Sequence, residues 1–256
     1  MAADMECVFC RPEALHDNMY TYCAGCGHGT SQRLVAEVIQ ELGLRENAIG
    51  VVGIGCYGNA RYNWNFDVQY TLHGRAPATA TGIKRCLPDN LVFTFQGDGD
   101  CAAIGTAETI HAAYRGEKIT QIMLNNANYG ETGGQMAPTT ILGQKTMSTP
   151  TGRRTDWNGF PLDMSQLVSL SPGAAYVATV SLHNPQHVNR AKRALRRAFE
   201  IQMQGLGYSM IQIISPCPTS WRMKPIESLQ FIEKEMLKTY TIGEQKVPAE
   251  EITRAA

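Results

Sequence analysis

LVFTFQGDGDCAAIGTAETIHAAYRGEKITQIMLNN, residues 91–126, holds two apolar runs separated by a stretch of small residues. The runs Leu91–Phe95 and Ile119–Leu124 are rich in β-branched and large apolar residues, which is typical of buried strands. Between them, Cys101–Tyr114 has the composition of a helix. The stretch therefore predicts a strand, a helix and a second strand in succession.

The same alternation continues in both directions along the chain. The other predicted helices are Ser31–Leu42, capped by Thr30 or Ser31 and stopped at Gly43, and Pro185–Gln204, capped by Asn184. The other predicted strands are Ile49–Ile54, Ala175–Val180 and Tyr208–Ile214. Alternating strands and helices predict an α/β fold, with a mostly parallel sheet and helices on both faces.

Three segments lack this alternation. We expect residues 1–22 to form an N-terminal arm and residues 226–256 to form a C-terminal helix and tail around one α/β domain, 23–225. Within that domain, residues 125–161 are rich in Gly, Thr and Pro and predict a long irregular segment. Irregular segments of this length usually serve a function or wrap a partner.

Composition narrows the class of protein. Hydrophobic residues make up 43% of the 256 residues, charged residues 18%, and the formal net charge is zero, which indicates a globular chain. The absence of a basic cluster disfavours nucleic-acid binding. No apolar run is long enough to cross a membrane, and the first residues do not resemble a signal peptide, so a cytoplasmic location is expected. Eight cysteines in such a chain indicate metal or redox chemistry.

The Gly97-Asp98-Gly99 turn lies where ligands bind in parallel sheets, between a strand and a helix. Glycines allow the backbone to approach a phosphate, and helix N-termini favour anions. An aspartate beside phosphate requires a bridging divalent cation, because like charges repel. Asn125 and Asn126 follow the next strand and offer oxygen ligands that suit magnesium.

Four cysteines are also expected at this edge of the sheet. Cys23 and Cys26 form a Cys-x-x-Cys pair before a helix, and Cys56 and Cys217 follow buried strands. The pair by itself fits zinc, a redox dithiol or an iron–sulfur cluster. Four thiolates at this edge of the sheet can hold a cluster.

The GDG turn, the 25 residues 100–124 and the Asn125-Asn126 pair resemble the thiamine diphosphate motif. The resemblance implies that Asp98, Asn126 and the Asn128 carbonyl bind Mg²⁺, and that Thr132 touches the metal or a phosphate. The residues that we expect at the cofactor are His28, Gly55, Cys56, His73, Gly97, Asp98, Gly99, Asp100, Asn126, Asn128, Tyr129, Gly130 and Thr132.

Further motifs resemble the β subunit of 2-oxoacid:ferredoxin oxidoreductases, closest to the multi-subunit branched-chain or general 2-oxoacid type. They are YCAGCGHG, GIGC, HGRAPATATGIKR, FQGDGDCAAIGTAETIHAA, NNANYGETGGQMAPTT and SPCPTSW, and they cover about residues 20–225. By this resemblance Cys23, Cys26, Cys56 and Cys217 ligate one 4Fe–4S cluster. The implied activity is thiamine diphosphate-dependent oxidative decarboxylation of a 2-oxoacid with coenzyme A, giving acyl-CoA, carbon dioxide and reduced ferredoxin.

The resemblance also implies partner chains. It assigns no catalytic acid or base to this chain, since the activating glutamate belongs to a pyrimidine-binding domain on an α subunit. That subunit is expected to supply most of the substrate pocket. A γ subunit and a ferredoxin-like δ subunit complete the expected assembly, with ferredoxin as electron acceptor.

Several positions stand outside the family pattern or carry weaker signals. Ala24 replaces the usual proline, and Glu131 stands where methionine is common. His28 and His73 are as suited to a phosphate as to local backbone. We expect the remaining cysteines to have other roles. Cys7 and Cys10 are a free N-terminal pair or a metal site, and Cys86 and Cys101 are packing residues.

Two rival functions are compatible with the sequence. A subunit of a non-oxidative thiamine diphosphate-dependent decarboxylase or synthase needs the diphosphate motif and no cluster. A scaffold subunit with a structural zinc site needs the four cysteines and no cofactor. Iron content and magnesium-dependent cofactor binding discriminate between these two functions and the oxidoreductase subunit that the motifs resemble.

Overall fold

Seven strands form the centre of the protein in the computed structural model, which describes residues 10–248. In chain order they are β1 (Ala48–Val52), β2 (Asp67–Tyr70), β3 (Leu91–Gly97), β4 (Thr120–Asn125), β5 (Ala174–Ser181), β6 (Tyr208–Ile214) and β7 (Gly243–Lys246). They form one sheet in the order β2-β1-β3-β4-β6-β5-β7. All neighbours are parallel except β5 and β7. The mostly parallel sheet expected from the alternating pattern is confirmed.

Helices connect these strands. They are α1 (Gly27–Glu41), α2 (Ala76–Cys86), α3 (Thr106–Tyr114), α4 (Thr155–Asn158), α5 (Met164–Ser169), α6 (Pro185–Met203), α7 (Pro218–Trp221), α8 (Pro225–Phe231) and α9 (Leu237–Thr239). Shorter turns are the 3₁₀ segments Arg45–Asn47 and Cys56–Tyr62 and the π-helical segments Asp100–Ile104 and Ile232–Met236. None of the described helices combines the length and apolarity needed to span a bilayer.

The helices cover both faces of the sheet, as the pattern predicts. On one face α1 and α6 pack against inward side chains of β3 and β6, such as Phe93 and Ile213. On the other face α2, α3 and α5 pack against alternate residues of the same strands, such as Val92 and Met210. Because successive side chains of a strand point to opposite faces, both faces are apolar, and the central strands β1, β3, β4, β5 and β6 are buried along nearly their whole length.

The register of the central strands brings three chain turns to one edge. Gly97 at the end of β3 pairs with Leu124 of β4, and Asn125 at the end of β4 pairs with Ile214 of β6. The GDG turn, the Asn pair and the turn before Cys217 therefore leave the sheet side by side.

Several elements differ from the sequence expectation. Helix α1 begins at Gly27, four residues before the predicted Ser31, because the glycines of GHG are helical here. The predicted helix at Cys101 starts with a π-helical segment at Asp100. Helices α2 and α5 and strand β2 were not predicted. The apolar pattern of α2 is weak because it is rich in Ala, Thr and Gly, and β2 is a largely exposed strand.

A single arginine organises the irregular segment 125–161, in which α4 is the one described helix. Arg153 is 5% exposed and donates to the carbonyls of Pro138 at 2.7 Å, Thr140 at 2.5 Å and Phe160 at 2.6 Å. These bonds replace the backbone pairing that a helix or strand would provide. The segment is therefore irregular and at the same time tightly held, and it presents Trp157 with 87% of its surface exposed.

Candidate functional site

A cleft opens at the carboxyl end of β1, β3 and β4. All the residues expected at the cofactor line this cleft: His28, Gly55, Cys56, His73, Gly97, Asp98, Gly99, Asp100, Asn126, Asn128, Tyr129, Gly130 and Thr132. Ile54, Tyr57 and Glu131 complete the lining.

Asp98 is buried in the wall of the cleft. Its carboxylate accepts a hydrogen bond from the Thr139 hydroxyl. Burial raises the pKa of Asp98 to about 7, although bonds from Thr139 and from the backbone N–H groups of Gly99 and Ala127 oppose this shift. No described Lys or Arg lines the cleft, so a bound cation is the natural partner for this charge. Thr139 was not predicted, because it lies in the irregular segment, 41 residues from Asp98.

Oxygen atoms converge beside Asp98. One atom of the Asn126 side-chain amide lies 2.7 Å from the Asn128 carbonyl oxygen and 3.1 Å from Asp98 Oδ1. If the Asn126 amide nitrogen lies at this point, it donates to both oxygens. If the amide oxygen lies there, the three oxygens face one another, which suits a shared cation. Two cis ligands of octahedral magnesium, each about 2.1 Å from the metal, lie about 2.9 Å apart. The observed spacings fit that geometry.

The loop that carries these ligands has an unusual backbone. Ala127 has φ of 55°, in the left-handed region that costs a non-glycine residue about 1 kcal/mol. Its N–H donates to Asn125 Oδ1 at 3.0 Å, and its carbonyl accepts from Thr140 Oγ1 at 2.7 Å. Local side chains thus hold a conformation that turns the Asn128 carbonyl toward Asn126.

Two glycines let tyrosine rings pack against the backbone at the base of the cleft. A Cβ at Gly99 would lie 2.2 Å from the ring of Tyr129, and a Cβ at Gly97 would lie 3.0 Å from the ring of Tyr57. The Tyr57 hydroxyl donates to the Ile54 carbonyl at 2.6 Å. Any side chain at Gly99 would displace the ring, so the glycine is required for the shape of the cleft.

The two cleft histidines have different environments. His28 is 2% exposed, burial lowers its pKa to about 4, and its Nδ1 has no hydrogen-bond partner among the described residues. His73 is more exposed, and its Nδ1 is hydrogen-bonded to Asp100. The cleft therefore contains one neutral, buried imidazole and one paired with a carboxylate.

The four predicted cluster cysteines are free thiols that lie near one another. Burial raises the pKa of Cys26 to about 12, and the charges of Cys217, Cys56 and Cys23 raise it further. Burial and then Glu131 raise the pKa of Cys56 to about 11. Among residues 10–248, no group of three His, Cys, Asp or Glu side chains is placed to hold a single metal ion.

The other cysteines are apart from this group. Cys86 is exposed at the end of α2, and Cys101 is buried and receives a hydrogen bond from Gln121 Nε2 at 3.0 Å. Cys10 is disulfide-bonded, so the expectation of a free N-terminal pair is wrong for this residue. Cys7 lies outside the described residues.

Comparison with known proteins identifies the family. Residues 53–213 match the thiamine pyrophosphate enzyme, C-terminal TPP binding domain. The chain is 42% identical over 242 residues to the ketoisovalerate oxidoreductase subunit VorA of Methanothermobacter thermautotrophicus, covering 91% of this chain and 51% of VorA. It is 35% identical over 231 residues to the 2-oxoglutarate synthase subunit KorB of Archaeoglobus fulgidus, covering 90% of this chain and 82% of KorB.

A solved structure supports the fold. The 2-oxoglutarate:ferredoxin oxidoreductase from Magnetococcus marinus superposes with a TM-score of 0.78 at 24% identity, covering 99% of this chain and 91% of that chain. This chain spans about half the length of the VorA relatives that it matches, and four-fifths of the KorB relative. The family resemblance expected from the motifs is confirmed: the chain belongs to the thiamine pyrophosphate-binding subunits of the 2-oxoacid:ferredoxin oxidoreductases.

Proposed function

We propose that this chain is the β subunit of a 2-oxoacid:ferredoxin oxidoreductase that binds thiamine diphosphate, Mg²⁺ and a 4Fe–4S cluster. The complex would convert a 2-oxoacid and coenzyme A to acyl-CoA and carbon dioxide, and reduce ferredoxin. One observation carries the proposal: the Asp98 carboxylate, the Asn126 side-chain amide and the Asn128 carbonyl converge in the cleft, beside the glycines of the GDG turn.

These residues fit the diphosphate and its metal chemically. Asp98 would bind Mg²⁺ with one carboxylate oxygen while Thr139 continues to donate to the other. Asn126 and the Asn128 carbonyl would provide two neutral oxygens, so the site keeps a net positive charge for phosphate once the metal is bound. When bound, thiamine diphosphate supplies the carbanion chemistry of decarboxylation, and the protein supplies position and electrostatics.

The four cysteines suit a cubane cluster. Such a cluster takes four thiolates, one per iron, so its ligands need not surround one ion. Cys217 receives hydrogen bonds from Ser220 and from the Asn128 side chain, which oppose the increase of its pKa by burial. Asn128 would therefore touch both centres, with its carbonyl toward the magnesium and its side chain toward Cys217. This link supports a cluster next to the cofactor cleft, as electron transfer requires.

The substrate half of the site would come from the α subunit. Glu131 is the one glutamate among the described residues that line the cleft, and it lies beside Cys56. The proposal therefore assigns the glutamate that activates the cofactor to the pyrimidine-binding domain of the α subunit. The γ subunit and a ferredoxin-like δ subunit would complete the complex and carry electrons to ferredoxin.

The division of the active site predicts that this chain alone is inactive. With cofactor, magnesium and cluster restored, it is expected to show no coenzyme A-dependent release of carbon dioxide from a 2-oxoacid. Adding the α subunit is expected to restore turnover. Thioester formation and methyl viologen reduction, measured for each combination of purified subunits, test this. Turnover by the single chain would show that the activating group lies here.

We propose that Trp157 and Phe160 dock on the α subunit. They are 87% and 78% exposed, and Arg153 holds their segment rigid by bonding the Phe160 carbonyl at 2.6 Å. The same irregular segment supplies Thr139, which donates to Asp98 in the wall of the cleft. Buried aromatic side chains dominate many protein interfaces.

Replacing both aromatic residues with serine is expected to weaken association with the α subunit by about 2 to 4 kcal/mol, or roughly 30- to 1000-fold in Kd. Analytical ultracentrifugation or surface binding with the purified α subunit measures this. Ile226→Ser, at an exposed position on α8, is the matched control and should bind normally. Unchanged affinity of the double variant would remove this surface from the interface.

A further inference from the structure

A carboxylate and an imidazole form a pair on the wall of the cleft. Nδ1 of His73 is hydrogen-bonded to Oδ1 of Asp100. The Asp100 side chain is fully buried, whereas the His73 side chain is 32% exposed. His73 lines the cleft, so one edge of its ring is bound to the protein and the other edge remains available to a reactant.

Hydrogen bonds from the sheet fix the orientation of Asp100. Its Oδ1 also accepts from the backbone N–H of Gly74 at 2.6 Å, and its Oδ2 accepts from Gln96 Nε2 at 2.6 Å. The Gln96 amide cannot turn over, because its Oε1 accepts from Thr94 Oγ1 and Gln121 Nε2, each at 3.0 Å. A chain of buried polar residues thus aims the carboxylate at His73.

This network assigns the tautomer of the imidazole. The Gly74 N–H and the Gln96 amide nitrogen can only donate, so Asp100 acts as an acceptor toward all its partners. The proton shared with His73 therefore belongs to Nδ1. In the neutral ring Nε2 then carries a lone pair, which is the arrangement of a general base held by a carboxylate.

We propose that His73 accepts the proton of the coenzyme A thiol and that Asp100 is its positioning residue. This inference rests on the proposed function. In the net reaction the S–H bond of the thiol and the C–C bond to the carboxylate break, an S–C bond forms, and two electrons pass to ferredoxin. The carboxylate leaves as carbon dioxide without releasing a proton. The one proton set free comes from the thiol, and it goes to Nε2 of His73.

No other described group on the cleft is as well placed for this role. Burial keeps the pKa of His28 at about 4, and His28 has no carboxylate partner. Burial raises the pKa of Tyr57 and of Tyr129, so both hydroxyls keep their protons at neutral pH. Asp98 belongs to the magnesium site, and Glu131 is exposed beside Cys56.

The test uses the complete complex with His73→Gln, and with His111→Gln on the exposed side of α3 as matched control. Carbon dioxide release from the 2-oxoacid in a single turnover without coenzyme A, measured on the same variant, reports any loss at the earlier step. Thioester formation from the same charged enzyme is expected to slow by about 10²-fold or more. In His73→Ala, added imidazoles should restore thioester formation with rates that rise with the basicity of the imidazole.

A spectroscopic measurement tests the assignment without relying on turnover. The ¹⁵N shifts of His73 in the selectively labelled β subunit are expected to show a protonated Nδ1 and an unprotonated Nε2 at pH 8. Asp100→Asn is expected to mix the two tautomers and to slow thioester formation by at least about tenfold. A proton on Nε2 in the wild-type protein would overturn the assigned tautomer. This measurement does not depend on whether the Asp100 variant folds.

Each kinetic outcome decides between the alternatives. Normal thioester formation in His73→Gln, with full cofactor and iron content, would exclude His73 as the acceptor. Loss of carbon dioxide release as well would assign His73 to an earlier step and overturn the thiol role. Failure of the wild-type complex to bind thiamine diphosphate would instead refute the proposed function, and with it this inference.

Discussion

Replacing Asp98 with asparagine is expected to abolish magnesium-dependent retention of thiamine diphosphate. Asparagine keeps the shape of the side chain and can still accept from Thr139, but it removes the one charge that faces the converging oxygens of Asn126 and Asn128. Breaking a buried charge pair typically costs about 3 to 5 kcal/mol, which corresponds to roughly 150- to 4,000-fold in affinity. Titration calorimetry of cofactor with magnesium, on the assembled complex, measures the loss.

The control for this variant is Asp156→Asn, an exposed carboxylate that pairs with Arg154 and is expected to bind cofactor normally. Near-normal affinity in Asp98→Asn would remove Asp98 from the metal site. Loss of binding must also be separated from unfolding, and the burial of Asp98 provides a way to do so.

Without a cation, Asp98 is expected to destabilise the folded chain at neutral and alkaline pH. Its pKa is about 7 in the folded state, against 3.8 as its ordinary value. Between these values the folded state binds more protons than the unfolded state, so its stability falls as the pH rises. Cofactor-free Asp98→Asn should therefore unfold at a higher temperature than cofactor-free wild type at pH 8, and this advantage should shrink toward pH 4. A lower unfolding temperature at pH 8 would indicate that the variant loses cofactor through misfolding.

Replacing Cys217 with serine is expected to remove or convert the 4Fe–4S cluster. Cys217 lies beside the cofactor loop, with its sulfur 3.5 Å from the position that a Cβ on Gly130 would take. A cubane that loses one of four thiolates commonly sheds an iron or disassembles, because a serine oxygen is a poorer ligand for iron in a cluster. Iron and sulfide analysis of anaerobically purified complex, with electron paramagnetic resonance of the reduced protein, measures the change.

Cys86→Ser is the matched control for the cluster variant. Cys86 is also a free thiol, but it is exposed at the end of α2, and it is expected to leave iron content and the spectrum unchanged. Cys56→Ser should behave as Cys217→Ser does. A full cluster with an unaltered spectrum in Cys217→Ser would remove the fourth ligand, and zinc in place of iron in the wild-type protein would favour the scaffold alternative.

The sequence predicted where the polar residues of the cleft would meet. Asp98 and Asn126 each follow an apolar run, and parallel strands all end at the same edge of a sheet, so the two had to lie close together. The same reasoning brought Cys56 and Cys217 to that edge. Hydrophobic periodicity is a local signal, and it was sufficient here because each of these residues lies within four positions of the end of a buried strand.

Prediction was poorer where the pattern of apolar residues is weak. Helix α2 is rich in small residues and strand β2 is largely exposed, so neither produces a strong periodic signal. Helix α1 begins early because two glycines, which disfavour helices in isolation, are held there by packing: a Cβ at Gly27 would lie 2.3 Å from the Ser215 hydroxyl oxygen.

By itself, the sequence determined the fold class, the family and the set of residues around the cleft, because these follow from periodicity and from motifs that are contiguous in the chain. Only the tertiary structure showed which of those residues bond to one another. Thr139 meets Asp98 across 41 positions and His73 meets Asp100 across 27, and both pairings follow from long connections packing on the sheet. The pairing of His73 with Asp100, and the role in proton transfer that we infer from it, therefore depend on contacts between residues that no local pattern links.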